Sequence, residues 1–240
     1  MLRGTIPAAT RTLSLDEREV PFDPDGGFLI AFDRDAPPEA VLRAVRADGS
    51  AVERRLAVRT GSWRIEHVNA SPTGGVTSAE FRARRAGELE RIAAARAVDT
   101  RSGGWRQDFR WPLTGRVSGL FGAQRIYRGT SGSYHSGIDI AANAGTPFVA
   151  PADGVVVLAA QTPFTLEGHL LIVDHGMGLS SAFLHCASLA VREGQVVRRG
   201  EVLGTVGASG RASGPHLHWG LVWRGLRLDP LLLAGPMPPP

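Results

Sequence analysis

Lysine does not occur in these 240 residues; every one of the 27 basic side chains is arginine. That absence removes Schiff-base chemistry, the phosphate-gripping lysine of a P-loop, and any lysine that carries biotin or lipoate. Cysteine is nearly missing too. Cys186 stands alone, which excludes an intramolecular disulfide and a four-thiolate zinc site. No apolar stretch approaches the ~18 residues of a membrane span. The first thirty residues hold no apolar run behind a basic start, so the sequence as given reads without signal peptide or anchor. A strong charge imbalance is also lacking: the formal net charge is +4, and the pI of about 10.4 reflects arginines that do not deprotonate. Up to Gly104 there are 16 Arg against 15 acids, and beyond it 11 against 8. Neither half carries a nucleic-acid footprint, and no nucleic-acid partner is expected.

What is present is glycine and proline, 30 and 16 residues, more than a helical protein carries and suited to turn-rich β structure. From Thr5 to Asn69 short runs such as Phe28–Phe32 and the strictly alternating Trp63–Val68 are broken by turn formers, which predicts a small antiparallel sheet or sandwich. Thr77-x-x-Glu80 has the form of a capping box. It precedes an Ala, Arg, Glu and Leu-rich stretch to about Ala97, with Phe81, Leu89 and Ile92 spaced as one helical face. From Trp111 onward strands are predicted at Gly154–Leu158, Leu170–Val173, Leu179–Leu184 and Val202–Val206, with a hairpin turn at Asp174–Gly178. The expected organisation is a β-rich N-terminal domain over 1–77, a linking helix and linker over 78–104, a β-sheet domain over 105–235, and a frayed Pro-rich tail over 236–240.

Six of the seven histidines lie between His135 and His218. His135 and Asp139, four residues apart, would stand about 13 Å apart on a straight strand, too far to share an ion with bonds near 2 Å. The chain must bend if both bind, and Gly137 permits a bend. In Gly214-Pro215-His216-Leu217-His218-Trp219 the two histidines share one strand face while Leu217 and Trp219 take the other. His185 ends a predicted strand. A His and Asp pair plus one further His supplies three N/O ligands and leaves a fourth zinc position open for water, the pattern of a catalytic site. The remaining imidazoles are then available for proton transfer and oxyanion stabilisation. Spacing alone leaves open which of His216 and His218 binds metal.

Three segments, His135-Ser136-Gly137-Ile138-Asp139-Ile140-Ala141-Ala142, Gly145 to Gly154 (GTPFVAPADG) and Gly210 to Gly220 ending in His-Leu-His-Trp-Gly, resemble the lysostaphin/LytM-type zinc metalloendopeptidases that cleave peptidoglycan. The resemblance covers about Trp111 to Pro230. It implies a mainly β fold with an antiparallel catalytic sheet, Zn²⁺ held by His135, Asp139 and His218, and His185 and His216 as catalytic residues. It further implies peptidoglycan peptides as substrate, with D-Ala to diaminopimelate bonds as the expected cut, and a periplasmic or cell-envelope location. Other cell-wall hydrolases or membrane-associated division factors are the further partners it suggests. Two positions depart from the family pattern: Phe183 stands where Tyr is frequent, and Cys186 follows His185 in place of Leu. Tyr127 and Tyr134 are nearby in sequence without an assigned role. The region from Gly4 to about Ala97 is similar, more loosely, to the β-rich domain preceding this peptidase in some Gram-negative members, where it would be a spacer or would shield the groove. A non-catalytic activator of another cell-wall hydrolase is the competing function; all three ligand positions and both catalytic histidines are present, which favours the enzyme. The glycine-punctuated Val191–Gly207 also resembles biotinyl and lipoyl carriers, a reading that the missing lysine removes.

Overall fold

The computed structural model describes residues 1–70 and 78–238. Thr77, first residue of the expected capping box, lies outside the described residues, as do Pro239 and Pro240 of the tail. The chain divides into two units, Met1–Ser62 and Trp63–Pro240.

In the first unit a four-stranded antiparallel sheet runs in the order Arg18–Glu19, Thr10–Leu15, Glu39–Arg46, Ala51–Ala57. Leu2–Thr5 pairs separately with Gly27–Ile30. Alternation sets the buried face: Ala40, Leu42 and Ala44 point into the core with Leu13, Leu15 and the wholly buried Gly27–Ile30 strand. Asp16 and Glu17, both at positive φ, make the two-residue turn joining the first two strands of that sheet.

The second unit is built on one antiparallel sheet. Its strands, β1 to β8 in chain order, are Arg116–Gly119, Ile138–Ala141, Gly154–Ala159, His169–Asp174, Leu179–Cys186, Val196–Val197, His216–Trp223 and Leu226–Leu228. The spatial order is β6-β3-β4-β5-β7-β2-β1, with β8 on β7. Three of these strands fall on the expected segments, and the fourth expected one, Val202–Thr205, lies in a separate three-stranded sheet between Pro147–Val149 and Ser188–Leu189. One expected strand has a different partner. Ile65–Val68, read as part of the N-terminal sheet, pairs in parallel with Gln124–Tyr127; a period of two identifies a strand and says nothing of its neighbour.

Helix α1 (Ala79–Arg96) is capped by Ser78, whose hydroxyl accepts from the Phe81 N–H. Its inward face keeps Phe81 and Ile92 of the expected one but not Leu89. Ile92 and Ala95 pack with Leu158, Phe164, Leu170, Ile172 and Ala182, whereas Leu89 is half exposed. The face turns through Arg85 and Glu88, which are polar and therefore invisible to an apolar-spacing argument. Glu88 accepts from the Thr165 N–H and hydroxyl at 2.6 and 2.7 Å, and Arg85 forks onto both Glu167 oxygens at 2.6 and 2.7 Å. The helix thereby clamps the loop before β4. The tail is tied down as far as Met237, whose sulfur accepts from the Gly115 N–H, while the Trp111 indole donates to the Gly235 carbonyl.

His175 belongs to the core. Its Nδ1–H donates to the Asp153 carbonyl and its Nε2 accepts from the Ser181 hydroxyl, both at 2.8 Å. Ser181 Oγ also takes the Trp219 indole N–H. Burial pushes this imidazole down to about 4 from its ordinary 6.5, the Asp153 carbonyl offsetting only part. Between those values the unfolded chain binds a proton that the folded chain does not. The contribution is therefore full above pH 6.5 and lost as pH falls towards 4, to a ceiling on the order of 3 kcal/mol. Urea unfolding at pH 7 and pH 4.5 should show that loss in the native sequence and a much flatter dependence in His175→Gln.

Candidate active site

The register of β2, β7 and β5 assembles the site. Asp139 on β2 lies directly opposite His218 on β7, and Ala141 opposite His216. Directly paired residues share a face, so Asp139, His216 and His218 stand together while Ile138, Ile140, Leu217 and Trp219, all fully buried, take the other face.

His135 reaches the same place from the loop before β2. The Gly122 N–H donates to its carbonyl and its own N–H donates to the Ala123 carbonyl, so the chain arrives folded back and the 13 Å of an extended path does not arise. Gly137 is not at positive φ. Its role is space: a Cβ there would stand 2.5 Å from the Trp219 carbonyl oxygen and 2.7 Å from His218 Nε2.

Three heteroatoms converge. His135 Nε2 is 3.1 Å from Asp139 Oδ1 and 3.1 Å from His218 Nδ1, and His218 Nδ1 is 2.8 Å from the same carboxylate oxygen. Carbonyl oxygens only accept, so the 3.0 Å contact with the Leu120 carbonyl fixes the proton of His135 on Nδ1 and leaves the Nε2 lone pair inward. The ligand atoms of a tetrahedral zinc with bonds near 2.05 Å are about 3.3 Å apart. The triangle found here is a near match that needs only slight expansion, and the donor set of two imidazoles and one carboxylate suits that ion. These three residues could hold a metal.

Burial raises the affinity of the Asp139 carboxyl for its proton, but the adjoining His135 and His218 imidazoles outweigh it and hold the group well below the usual carboxylate range. Burial lowers His218. It would lower His135 as well, yet the Asp139 bond prevails and raises it.

Two further imidazoles face this triangle. His216 donates from Nδ1 to the Gly214 carbonyl at 2.8 Å, and its Nε2 is 3.7 Å from Asp139 Oδ1. His185 donates from Nδ1 to the Ser209 carbonyl at 2.8 Å. Their rings are 4.9 Å apart, and the His185 ring is 6.3 Å from that of His218. Burial, with the neighbouring imidazoles, lowers His185.

His185 owes its direction to a bulge. Phe183 faces Leu171 and Cys186 faces His169 across β4, so Leu184 and His185 together oppose Leu170. His185 sits at φ 64°, a left-handed conformation uncommon outside glycine, and its N–H donates to the Glu167 carbonyl. Simple alternation would send it to the face of Phe183, which packs on Phe148; the extra residue turns it to the site. The two departures noted in the sequence are both inert here. Phe183 is fully buried, and burial pushes the Cys186 thiol up to about 12. Tyr134 packs edge-on against Phe121.

Sequence reasoning passed over Gly119. It is the cross-strand partner of Asp139, and a Cβ on it would stand 2.5 Å from Asp139 Oδ2 and 3.1 Å from His135 Cε1. Gly119→Ala should leave the fold intact and weaken metal binding roughly 10- to 100-fold, the size of effect that displaced ligand-orienting groups produce. Competition with a chromogenic chelator measures it.

Residues 133–230 match Peptidase family M23. The peptidoglycan DD-endopeptidase ShyA of Vibrio cholerae is 34% identical over 131 residues, 54% of this chain and 29% of that protein. The murein hydrolase activator NlpD of Salmonella dublin is 33% identical over 163 residues, 68% of this chain and 40% of that protein. The chain thus spans well under half the length of either relative. The crystal structure of a candidate M23 peptidase from Pseudomonas aeruginosa has a TM-score of 0.73 at 28% identity, covering 97% of this chain and 92% of that one. With a mainly β architecture, a His-Asp-His triangle inside the matched segment and a solved structural counterpart covering 97% of the chain, residues 133–230 form a peptidase family M23 domain.

Proposed function

We propose that the chain is a zinc-dependent endopeptidase that hydrolyses peptide cross-links of peptidoglycan in the periplasm or cell envelope, cutting between D-Ala and diaminopimelate. One observation carries the reading: two imidazoles with their Nδ1 protons pinned by carbonyls flank a triangle of three convergent ligand atoms. His135, Asp139 and His218 would hold the ion. Bound there, zinc would polarise the scissile carbonyl and lower the pKa of a water. His185 and His216, each with Nδ1 committed to a backbone carbonyl, would leave Nε2 for that chemistry. Between them they take the proton of the attacking water, steady the developing oxyanion and return the proton to the leaving amine. The peptidoglycan DD-endopeptidase among the relatives supports the substrate class.

The likeness to a murein hydrolase activator over 68% of the chain favours one competitor, a protein that activates another wall hydrolase without cutting. Mass spectrometry of fragments released from purified peptidoglycan separates the two. The zinc-loaded chain alone should release peptides ending at the cut D-Ala to diaminopimelate bond, a chelator should stop release, and added zinc should restore it. A zinc-loaded chain that releases nothing by itself yet accelerates a second hydrolase overturns the proposal.

A further inference from the structure

A groove of about 340 Å³ runs beside His216, lined by Arg116, Ala141, Ala142, Asn143 and Pro215. The sheet register explains its make-up. Ala141 is paired with His216 on one side and with Arg116 on the other, so the three form one row across β7, β2 and β1 on the face that holds the histidines. Arg116 reaches that face because of an irregularity in pairing. Asp139 faces Gly119 while Ile140 faces Val117, so Ser118 is an extra residue on β1. Without it, Arg116 would fall on the opposite face from Gly119 and the site. Two interstrand spacings place its Cα about 10 Å from that of His216. Ala141 between them is too small to fill the gap.

Arg116 is exposed and is the one charged residue lining the groove. Among the described residues its guanidinium has no carboxylate partner. A planar fork of donors in a groove that is also lined by Pro215, the residue before His216, and by Ala141, its cross-strand partner, is suited to bidentate capture of a carboxylate. The Asn143 side chain adds an amide able to donate to or accept from a peptide backbone.

We propose that this groove is a substrate subsite in which Arg116 binds a carboxylate of the peptide lying next to the cleaved bond. The inference rests on the endopeptidase reading for its substrate class. The carboxylate has two possible sources in a cross-linked peptide, the one on the diaminopimelate side centre and the one at a free C-terminal D-Ala, and amidated peptides tell them apart.

The experiment measures binding of cross-linked muropeptide dimers to the full chain carrying His216→Ala, which slows turnover enough for binding to equilibrate first, with and without Arg116→Ala. The dimers are unmodified, amidated at diaminopimelate, or amidated at the terminal D-Ala. Arg116→Ala should weaken binding of the unmodified dimer roughly 10- to 100-fold. One amidation should reproduce that loss and add nothing further to Arg116→Ala, which identifies the carboxylate. Arg116→Lys should recover part of the affinity, since charge remains and the fork does not. Equal binding with and without Arg116→Ala, or an equal loss for every dimer, overturns the inference. Carboxylate-dependent binding through Arg116, combined with no cleavage by the unsubstituted chain, would sustain the subsite and overturn the endopeptidase proposal.

Discussion

His218→Ala should reduce metal content from one ion per chain to under a tenth and abolish peptidoglycan hydrolysis. His218 Nδ1 stands 2.8 Å from Asp139 Oδ1, closer than His135 Nε2 at 3.1 Å, and with it gone only two ligand atoms converge. Changes that merely disturb ligand orientation weaken binding 10- to 100-fold, so deletion of a ligand should exceed about 100-fold. His218 is buried within the sheet, and its loss could perturb folding, so the result needs a second variant. Asp139→Asn supplies it. Shape is conserved, the carboxylate charge that both histidines address is removed, and metal loss should follow with a circular dichroism spectrum and melting temperature close to those of the parent. Metal analysis of protein purified without added zinc and then dialysed against it reads both variants. Full zinc occupancy in either one would refute the assignment of these three residues as the metal site.

Much of this arrangement was legible in residue order, and the rest fails to appear there for physical reasons. The His216-Leu217-His218 alternation could be read because strand geometry with a period of two places side chains predictably, whereas His135 joins Asp139 through a folded-back loop that strand geometry does not supply. The convergence of Asp139 with His218 could not be read, because it depends on which residues of β2 and β7 face each other. The Leu184–His185 bulge illustrates the same limit, since one extra residue reverses the face of a side chain without any change in composition. Gly119 and Gly137 serve by lacking a Cβ near Asp139 and His218, a role set by packing distance; Gly137 looked instead like a bending point. On α1 the apolar spacing selected Leu89 and missed Glu88, because an ion-paired, hydrogen-bonded carboxylate occupies a core-facing position that a hydrophobic pattern assigns to leucine.

His216→Ala should have the opposite signature to His218→Ala: zinc retained at one per chain, and hydrolysis reduced about 10²- to 10⁴-fold, the range for loss of a positioned proton-transfer group. Its Nε2 stands 3.7 Å from Asp139 Oδ1 and its Nδ1 is committed to the Gly214 carbonyl, so the triangle of ligand atoms survives its removal. His185→Ala should behave alike, for its Nδ1 is held by Ser209 and its ring faces that of His216 at 4.9 Å. This second change also replaces a residue at φ 64°, which makes His185→Gly the better variant, since glycine accepts the bulge conformation without strain. If the two imidazoles act on one proton pathway, the double variant should be scarcely slower than either single one. Independent roles would multiply the losses. Zinc analysis beside fragment release from peptidoglycan separates these outcomes, and metal loss in His216→Ala with retention in His218→Ala would exchange the two histidines between ligand and catalytic roles.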